Sequence, residues 1–361
     1  MRTSGLLLLA MLAGLGACAP RVADVPSLPG PPPQTEPRIE PAPPVPGAGP
    51  QSLPRWGQEN HLDALMAYAR SCGLVREPAY VRVCDEARAL SRSADTSPSV
   101  ARAFFEQRFT LEPVDGQGLL TGYFAPEYLA SPVRTDTFDM PLLAAPAARS
   151  PLPERSVIEA EALQGRSPWQ PLAWLRAEDL FFLQIQGSGY LTLPDGRRLR
   201  AGYAADNGHP FSGIARVMVQ QGILADHQTS ADNIRRWLSD NRGERARAIM
   251  ATNARYIFFS LAEDDGGHPA GAAGVPLPPR RAIAVDPAQW RYGELMWVEA
   301  DGATLAGAMN SYHGLATALD TGSAIRGRVR ADLYLGRGDE AGREAGTIRH
   351  PLRFYRLVPR P

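Results

Sequence analysis

Three aspartates in the C-terminal third of the chain are the first candidates for chemistry. Asp286, Asp320 and Asp332 each stand at the start or the end of an apolar run with the character of a β-strand. A carboxyl group can act as an acid or a base near neutral pH when apolar surroundings or a like-charged neighbour raise its pKa. The three aspartates are therefore candidates for acid–base catalysis.

Asp320 also belongs to a turn motif, because residues 319–323 have the sequence Leu-Asp-Thr-Gly-Ser. Aspartic proteases carry two such turns, which place two carboxyl groups close enough to share a proton. This chain has one copy, followed by Arg326, so a protease would have to be a symmetric dimer. An aspartic protease is the weakest of the functions considered.

Composition excludes several other chemistries. The 361 residues include 38 basic and 38 acidic side chains, and none of the basic ones is lysine. A Walker-A lysine and a Schiff base are therefore excluded, and the zero net charge argues against a nucleic-acid partner. The six histidines are scattered singly, and no Gly-x-Ser-x-Gly motif occurs. We expect neither a metal nor a cofactor.

The elements that must position the aspartates are mainly strands. Short apolar runs broken by Gly and Pro predict strands at residues 118–124, 181–186, 198–203, 256–260, 282–285, 295–299, 332–335 and 352–358. Helical patterns cover residues 60–70, 79–90, 100–109, 213–221, 232–239 and 245–251. For the third helix, Ser97 is the expected N-cap and Pro98 the first helical residue. The lack of βαβ alternation favours a mainly β protein with helices, of α+β class.

The N-terminus predicts export. Arg2 precedes an apolar run at residues 5–15 that is too short to span a bilayer, as in a secretory signal peptide. Residues 15–18, Leu-Gly-Ala-Cys, resemble a bacterial lipobox, in which residues 1–17 are removed and Cys18 is lipidated. The alternative is an ordinary signal peptide cleaved near Ala17. Because Ala19 is not aspartate, the resemblance favours an outer membrane lipoprotein facing the periplasm.

Residues 18–55 are too rich in proline to form a core, with 13 prolines between Pro20 and Pro54. They are predicted to be a tether between the lipid anchor and a body that begins near Trp56, or else a leader without a length requirement.

Besides Cys18, the mature chain has two cysteines, Cys72 and Cys84, and both lie in the predicted folded body. In an oxidising periplasm they can form a disulfide worth roughly 3 kcal/mol, or remain two independent buried thiols.

Four further motifs, together with the aspartates, carry a resemblance to a known family. They are Leu120-Thr121-Gly122-Tyr123-Phe124, Gln184-Ile185-Gln186-Gly187-Ser188-Gly189-Tyr190, Gly202-Tyr203 and Asn207-Gly208-His209-Pro210. In this order, from about Leu119 to Tyr355, the chain resembles the membrane-bound lytic murein transglycosylase A family, which has a C-terminal three-aspartate domain.

The resemblance implies a double-psi β-barrel domain with a second β-barrel domain inserted into it, and a groove between the two. In this chain, residues 56–126 and 254–361 would form the helices and the first barrel, and residues 127–253 the insertion.

The resemblance also implies a peptidoglycan lyase in which one carboxyl group, that of Asp332, acts twice. It would protonate the β-1,4 glycosidic oxygen between N-acetylmuramic acid and N-acetylglucosamine. As a carboxylate it would then take the proton of the muramoyl C6 hydroxyl, which closes on C1 to give a 1,6-anhydro end. One residue more separates Asp320 from Asp332 than in the best-known members. Asp320 would raise the pKa of Asp332 or orient it, or else cap its own turn. Asp286 would assist, or else only start the turn at Pro287.

The expected substrate-binding residues come from the same motifs: Thr121, Gly122, Tyr123, Gln186, Gly187, Ser188, Gly189, Tyr203, Asn207 and Tyr334. Some of these residues have an alternative structural role. The glycines can permit a tight turn, the tyrosines can belong to the core, and Asn207 can initiate the following helix.

The partners implied are peptidoglycan glycan strands, the membrane through the lipid anchor, and proteins of cell-wall synthesis or division. A non-catalytic murein-binding lipoprotein is the main alternative function.

Overall fold

The computed structural model describes residues 44–147, 152–166, 168–302 and 311–361. The predicted signal peptide, Cys18 and most of the tether lie outside the described residues. The end of the predicted tether, residues 44–55, instead belongs to the folded body, because Leu53 is 4% exposed and the backbone of Gly47 and Ala48 hydrogen-bonds to that of Leu111. The body therefore begins before Trp56.

The bounds of the elements follow the chain. The helices are α1 His61–Ser71, α2 Pro78–Arg92, α3 Pro98–Arg108, α4 Arg155–Leu163, α5 Ala177–Gln186, α6 Ile214–Gln220, α7 Ala231–Asp240, α8 Glu244–Ala251 and α9 Gly338–Ala345. The strands are β1 Phe109–Ala125, β2 Glu127–Leu129, β3 Met140–Leu143, β4 Pro171–Leu175, β5 Gly189–Thr192, β6 Arg198–Asp206, β7 Ile257–Glu263, β8 Ala282–Ala284, β9 Leu295–Ala300, β10 Tyr312–Asp320, β11 Arg330–Arg337 and β12 Arg349–Pro359.

The helices α1–α3 pack against the barrel described below. Ser97 accepts a hydrogen bond from the backbone of Val100, and Pro98 opens α3, as the sequence predicts. Trp56, Phe104 and Phe105 are buried beside Trp297 of β9, in one apolar cluster. A disulfide joins Cys72 to Cys84, with their Cα atoms 5.6 Å apart, so in this structure the two are not independent thiols.

Six strands close a barrel in the order β1-β11-β8-β10-β9-β12. The pairs β1–β11 and β8–β10 are parallel and the other four are antiparallel. Every residue of β8 and of β9 is buried, as expected of strands with both faces covered. Asp320 ends β10 and Asp332 lies in β11, whereas Asp286 follows the end of β8.

A second group of elements lies between β1 and β8 in the chain. It contains a four-stranded sheet in the order β2-β5-β6-β7 and a two-stranded sheet of β3 and β4. With the closed barrel and the helices, these sheets confirm the predicted α+β class. The domain boundaries at residues 126–127 and 253–254 stay a prediction.

One predicted strand is wrong, because residues 181–186 belong to helix α5. Six of its ten residues are buried, and Leu180 and Leu183 pack into one apolar cluster whereas Phe181 packs into another, so the helix is covered on more than one face. Glu178 and Asp179 lie in its first turn, where negative charge is favoured. A short apolar run is compatible with either element, and these acidic residues were the overlooked signal.

Among the described residues, none of the helices has the length and apolar character needed to cross a membrane.

Candidate active site

Strand register places two of the three aspartates in one row. Asp332 of β11 lies opposite Thr121 of β1 on one side and Ala284 of β8 on the other. Asp320 of β10 lies opposite the same Ala284. Lateral neighbours in a sheet project their side chains to the same face. The row therefore presents a hydroxyl group and two carboxyl groups on one face, with only a methyl group between the carboxyl groups.

Asp332 is held through one of its oxygens. The hydroxyl of Thr121 donates a hydrogen bond to Asp332 Oδ1 at 2.6 Å, and Arg330 Nη2 donates to Thr121 Oγ1 at 3.0 Å. Among the described residues no donor contacts Asp332 Oδ2. Burial raises the pKa of Asp332 to about 6, although Thr121 and the nearby Arg330 cation act to lower it. This carboxyl group can therefore carry a proton in mildly acidic solution.

Asp320 uses both of its carboxyl oxygens within the protein. The hydroxyl of Tyr123 donates to Oδ2 at 2.8 Å, and the backbone amides of Ala272 and Thr321 donate to Oδ1 at 2.9 Å each. Burial raises the pKa of Asp320, and these three donors oppose the rise. Asp320 thus caps its own turn, as one alternative expected, and also adds to the raised pKa of Asp332.

Asp286 stands apart from this pair. Its Oδ2 accepts the backbone amide of Gly327 at 2.7 Å, and its Oδ1 accepts that of Ala288 at 3.1 Å. These two amides lower the pKa of Asp286. The cavity that Asp320 and Asp332 line does not include Asp286. Its contacts favour the turn-starting role over the catalytic one.

A cavity of about 280 Å³ opens above Asp332. Its walls come from both sides of the cleft: Gly122, Tyr123, Ala284, Arg330 and the 320–325 loop from the barrel, and Ile185, Gln186 and Phe211 from the other elements. A smaller cavity continues from it along Gln186, Phe211 and Gly322 toward Gly187, Tyr203 and Arg255. Together they form an elongated cleft with Asp332 in its wall.

Two of the tyrosines that were predicted to contact a sugar differ in exposure. Tyr203 is 53% exposed in the smaller cavity, and its hydroxyl donates to Asp206 Oδ2 at 2.7 Å, so its ring can meet a ligand. Tyr334 is fully buried, with its ring 5.3 Å from that of Tyr123 and its hydroxyl 3.1 Å from His268 Nδ1. Tyr334 therefore belongs to the core, because a buried ring cannot stack on a ligand.

The predicted glycine-rich loop follows α5 directly. Gly187 ends that helix with φ of 80°, the left-handed conformation that glycine adopts most easily. A side chain at Gly189 would lie 2.7 Å from the carbonyl oxygen of Pro126, so this glycine permits close packing. Gln186 accepts the backbone amide of Phe124 at 3.3 Å and lines both cavities, whereas Ser188 and Gly189 line neither.

Asn207 has no part in the cleft. It is fully buried, and its Nδ2 donates to the carbonyl oxygens of Pro153 and Ala254 at 2.9 and 2.8 Å. Its Oδ1 accepts the backbone amide of Tyr256 at 2.9 Å. These contacts join three segments of backbone, which is a structural role. Helix α6, the next helix in the chain, has Gly213 as its N-cap residue, so Asn207 does not initiate it.

Sequence reasoning missed Ala284, Ile185 and Phe211 as residues of the cleft. Ala284 occurs in an ordinary buried strand, and only its register with Asp320 and Asp332 gives it significance. Within the described residues, no group of three or more His, Cys, Asp or Glu side chains is placed to hold a metal ion.

Comparison with known proteins identifies two family regions. The model described as the MltA specific insert domain matches residues 119–260, and the one described as the 3D domain matches residues 281–358.

Individual relatives agree with these matches. Membrane-bound lytic murein transglycosylase A of Escherichia coli K12 is 31% identical over 266 residues, covering 72% of this chain and 71% of that protein. The crystal structure of MltA from Neisseria gonorrhoeae superposes with a TM-score of 0.74 at 28% identity, covering 87% of this chain and 92% of that one. E. coli MltA with bound chitohexaose has a TM-score of 0.68 at 26% identity, covering 88% and 93%.

Proposed function

Because the chain belongs to the membrane-bound lytic murein transglycosylase A family, we propose that it cleaves peptidoglycan glycan strands as a non-hydrolytic lyase, with Asp332 as its acid and base. The observation that carries this proposal is the environment of the Asp332 carboxyl group. Its carboxyl group is half-buried in the wall of an elongated cleft, and this desolvation raises its pKa to about 6.

The reaction needs only this one carboxyl group. Protonated Asp332 gives its proton to the glycosidic oxygen, and the bond from that oxygen to C1 of the muramoyl residue breaks. The C6 hydroxyl of the same residue bonds to C1, and the Asp332 carboxylate takes the hydroxyl proton. The products are a free 4-hydroxyl and a 1,6-anhydro end, and Asp332 is protonated again. Ordinary glycosidases require a second carboxyl group for water or for a covalent intermediate, and no such step occurs here.

Asp320 supports this cycle without exchanging a proton. Its two oxygens accept three hydrogen bonds from Tyr123, Ala272 and Thr321, which hold it in place. Its negative charge favours the protonated form of Asp332.

The cleft has the form that an extended glycan needs. Gln186, Gly187 and Tyr203 line its continuation away from Asp332, and one relative was crystallised with chitohexaose, an oligosaccharide. An exposed aromatic ring such as that of Tyr203 offers a face for a sugar.

The product tests the proposed chemistry. Purified peptidoglycan digested with the protein should release muropeptides that are lighter by one water than those from a lysozyme digest of the same material, measured by mass spectrometry. The Asp332→Asn variant is the matched control for a contaminating enzyme. Reducing ends would identify a hydrolase, and wall binding without soluble product would identify the non-catalytic alternative.

The proposed attachment to the outer membrane rests on the N-terminal sequence. Lipidation of Cys18 after removal of residues 1–17 would anchor the protein in the outer membrane, facing the periplasm, and residues 18–43 would let the body reach the wall. Relatives carry the name membrane-bound. Protein partners in cell-wall synthesis or division stay a prediction.

Replacement of Cys18 by alanine tests this anchor. Stable membrane attachment needs more than one acyl chain, and all the predicted acyl chains are carried by Cys18. The variant should therefore move from the membrane fraction to the soluble periplasmic fraction. Immunoblots of the two fractions measure the change, and Ser27→Ala, a substitution elsewhere in the predicted tether, is the matched control. A variant that stays with the membrane would contradict lipidation at Cys18.

A further inference from the structure

Arg330 is the cation nearest to the proposed acid, and its own contacts fix its position. Nη2 donates to Thr121 Oγ1 at 3.0 Å, and Nη1 donates to the carbonyl oxygen of Leu119 at 3.2 Å and to that of Ala331. The side chain is half-buried in the cavity wall. These acceptors come from β1 and β11, so the guanidinium spans the two strands that carry Thr121 and Asp332.

The contact with Arg330 constrains the hydroxyl group of Thr121. A hydroxyl has one hydrogen to donate and two lone pairs to accept. Arg330 occupies one lone pair, and a guanidinium has no acceptor that could take the hydroxyl hydrogen. Asp332 Oδ1, 2.6 Å from Thr121 Oγ1, takes it instead. The order of donation is therefore Arg330 to Thr121 to Asp332.

This order distinguishes the two oxygens of Asp332. Oδ1 accepts from Thr121 and is poorly placed to carry a proton itself, whereas Oδ2 has no partner among the described residues. We propose that Arg330 is a positioning residue, which acts through the Thr121 hydroxyl to place the acid proton of Asp332 on Oδ2. This inference rests on the proposed function, since it assigns the oxygen that exchanges the proton with the glycan.

The same relay serves the second half of the reaction. When Asp332 has given up its proton, its carboxylate keeps the Thr121 hydrogen bond, and the Arg330 charge is close by. Charge-assisted hydrogen bonds of this kind strengthen as the acceptor becomes an anion. Oδ2 then remains free to receive the proton of the C6 hydroxyl.

The test compares two arginines that are four residues apart. Arg330→Met removes the donor to Thr121. The control, Arg326→Met, removes an equal charge from a side chain that is 60% exposed and whose Nη1 lies 3.8 Å from Asp286 Oδ1. The measurement is kcat/KM against pH on soluble, uncrosslinked glycan strands. For Arg330→Met we expect a fall of roughly tenfold in kcat/KM near pH 5. We also expect its alkaline limb to move up by about one pH unit, because the Thr121 hydroxyl, without its Arg330 donor, donates a weaker hydrogen bond to the Asp332 carboxylate. Arg326→Met should keep the wild-type profile.

Substitutions of Thr121 separate a relay from a direct charge effect. Thr121→Val removes the hydroxyl with little change of shape and should also move the alkaline limb upward, whereas Thr121→Ser should retain the wild-type limb. In the Thr121→Val background, Arg330→Met should change kcat/KM by less than about twofold, because residues in one network are not additive. These variants keep the test valid even if Arg330→Met folds poorly, which its thermal unfolding would show.

Several outcomes would overturn the inference. One is an unchanged pH profile in Arg330→Met, and another is an undiminished effect of Arg330→Met in the Thr121→Val background. A raised KM with an unchanged profile would instead make Arg330 a ligand for a substrate carboxylate. If wild-type protein releases no anhydro product at pH 5, the proposed function fails and the inference fails with it. A normal product with an unmoved limb rejects the relay alone.

Discussion

Asp332→Asn is expected to lower the release of soluble muropeptides from purified peptidoglycan by at least about 100-fold, because the amide cannot supply the proton that the leaving oxygen needs. Asparagine has nearly the same shape and can still accept the Thr121 hydrogen bond through its carbonyl oxygen. The loss should therefore appear in kcat, with little change in binding to the wall. Asp332→Ala should lose activity to a similar extent.

The stability of this variant distinguishes lost chemistry from lost folding. Burial raises the pKa of Asp332 to about 6, so at pH 7 the native state must hold a buried ionised carboxyl group. A raised pKa means that the native state binds the proton more tightly than the unfolded chain, and stability falls as pH rises toward 6. Asp332→Asn has no such cost, and we expect it to unfold at the wild-type temperature or above at pH 7.

Asp286→Asn is the comparison for the same experiment. Asp286 contacts the backbone amides of Ala288 and Gly327 and does not line the cavity of Asp332. We expect its replacement to lower activity by less than about tenfold and to act mainly on stability, through weakened hydrogen bonds. Equal losses in Asp286→Asn and Asp332→Asn would contradict the assignment of Asp332 as the single acid and base.

Activity is also expected to fall as pH rises through about 6, the value to which burial raises the pKa of Asp332. The free enzyme must hold the proton before it binds substrate, so kcat/KM should drop about tenfold for each pH unit above this value. Between pH 6 and pH 8 the expected loss is roughly 50-fold, because half of the enzyme is protonated at pH 6 and about one hundredth at pH 8. An ordinary aspartate, with a pKa near 4, would lose its proton well before neutral pH.

The measurement is the initial rate of anhydromuropeptide release from pH 4.5 to pH 8.5, at substrate concentrations well below KM. Circular dichroism at each pH controls for unfolding. Asp320→Asn should move the alkaline limb to lower pH, because the charge that favours protonated Asp332 is removed. A flat profile from pH 5 to pH 8 in folded protein would show that Asp332 does not act as the acid.

The sequence predicted elements well where local rules dominate. Helix α3 begins at Pro98 after its Ser97 cap, and strands β8 and β9 were expected from their apolar runs. The sequence-based prediction failed at α5, where a run of Leu, Phe and Ile is compatible with either strand or helix, and where the helix is buried against two apolar clusters. It also missed β10, whose Gly and Ala residues have weak strand preference but lie between two strands of the barrel.

For the site, sequence alone showed which chemical groups are available: three aspartates and their neighbours in recognisable motifs, in a chain without lysine. Which of these groups act together depends on the tertiary structure. Thr121, Ala284, Asp320 and Asp332 are far apart in the chain and become one row through the register of four strands. The same packing buries Asp332 and leaves Asp286 to its turn. Proton affinity depends on burial and on neighbours across strands, and neither is encoded in the local spacing of residues.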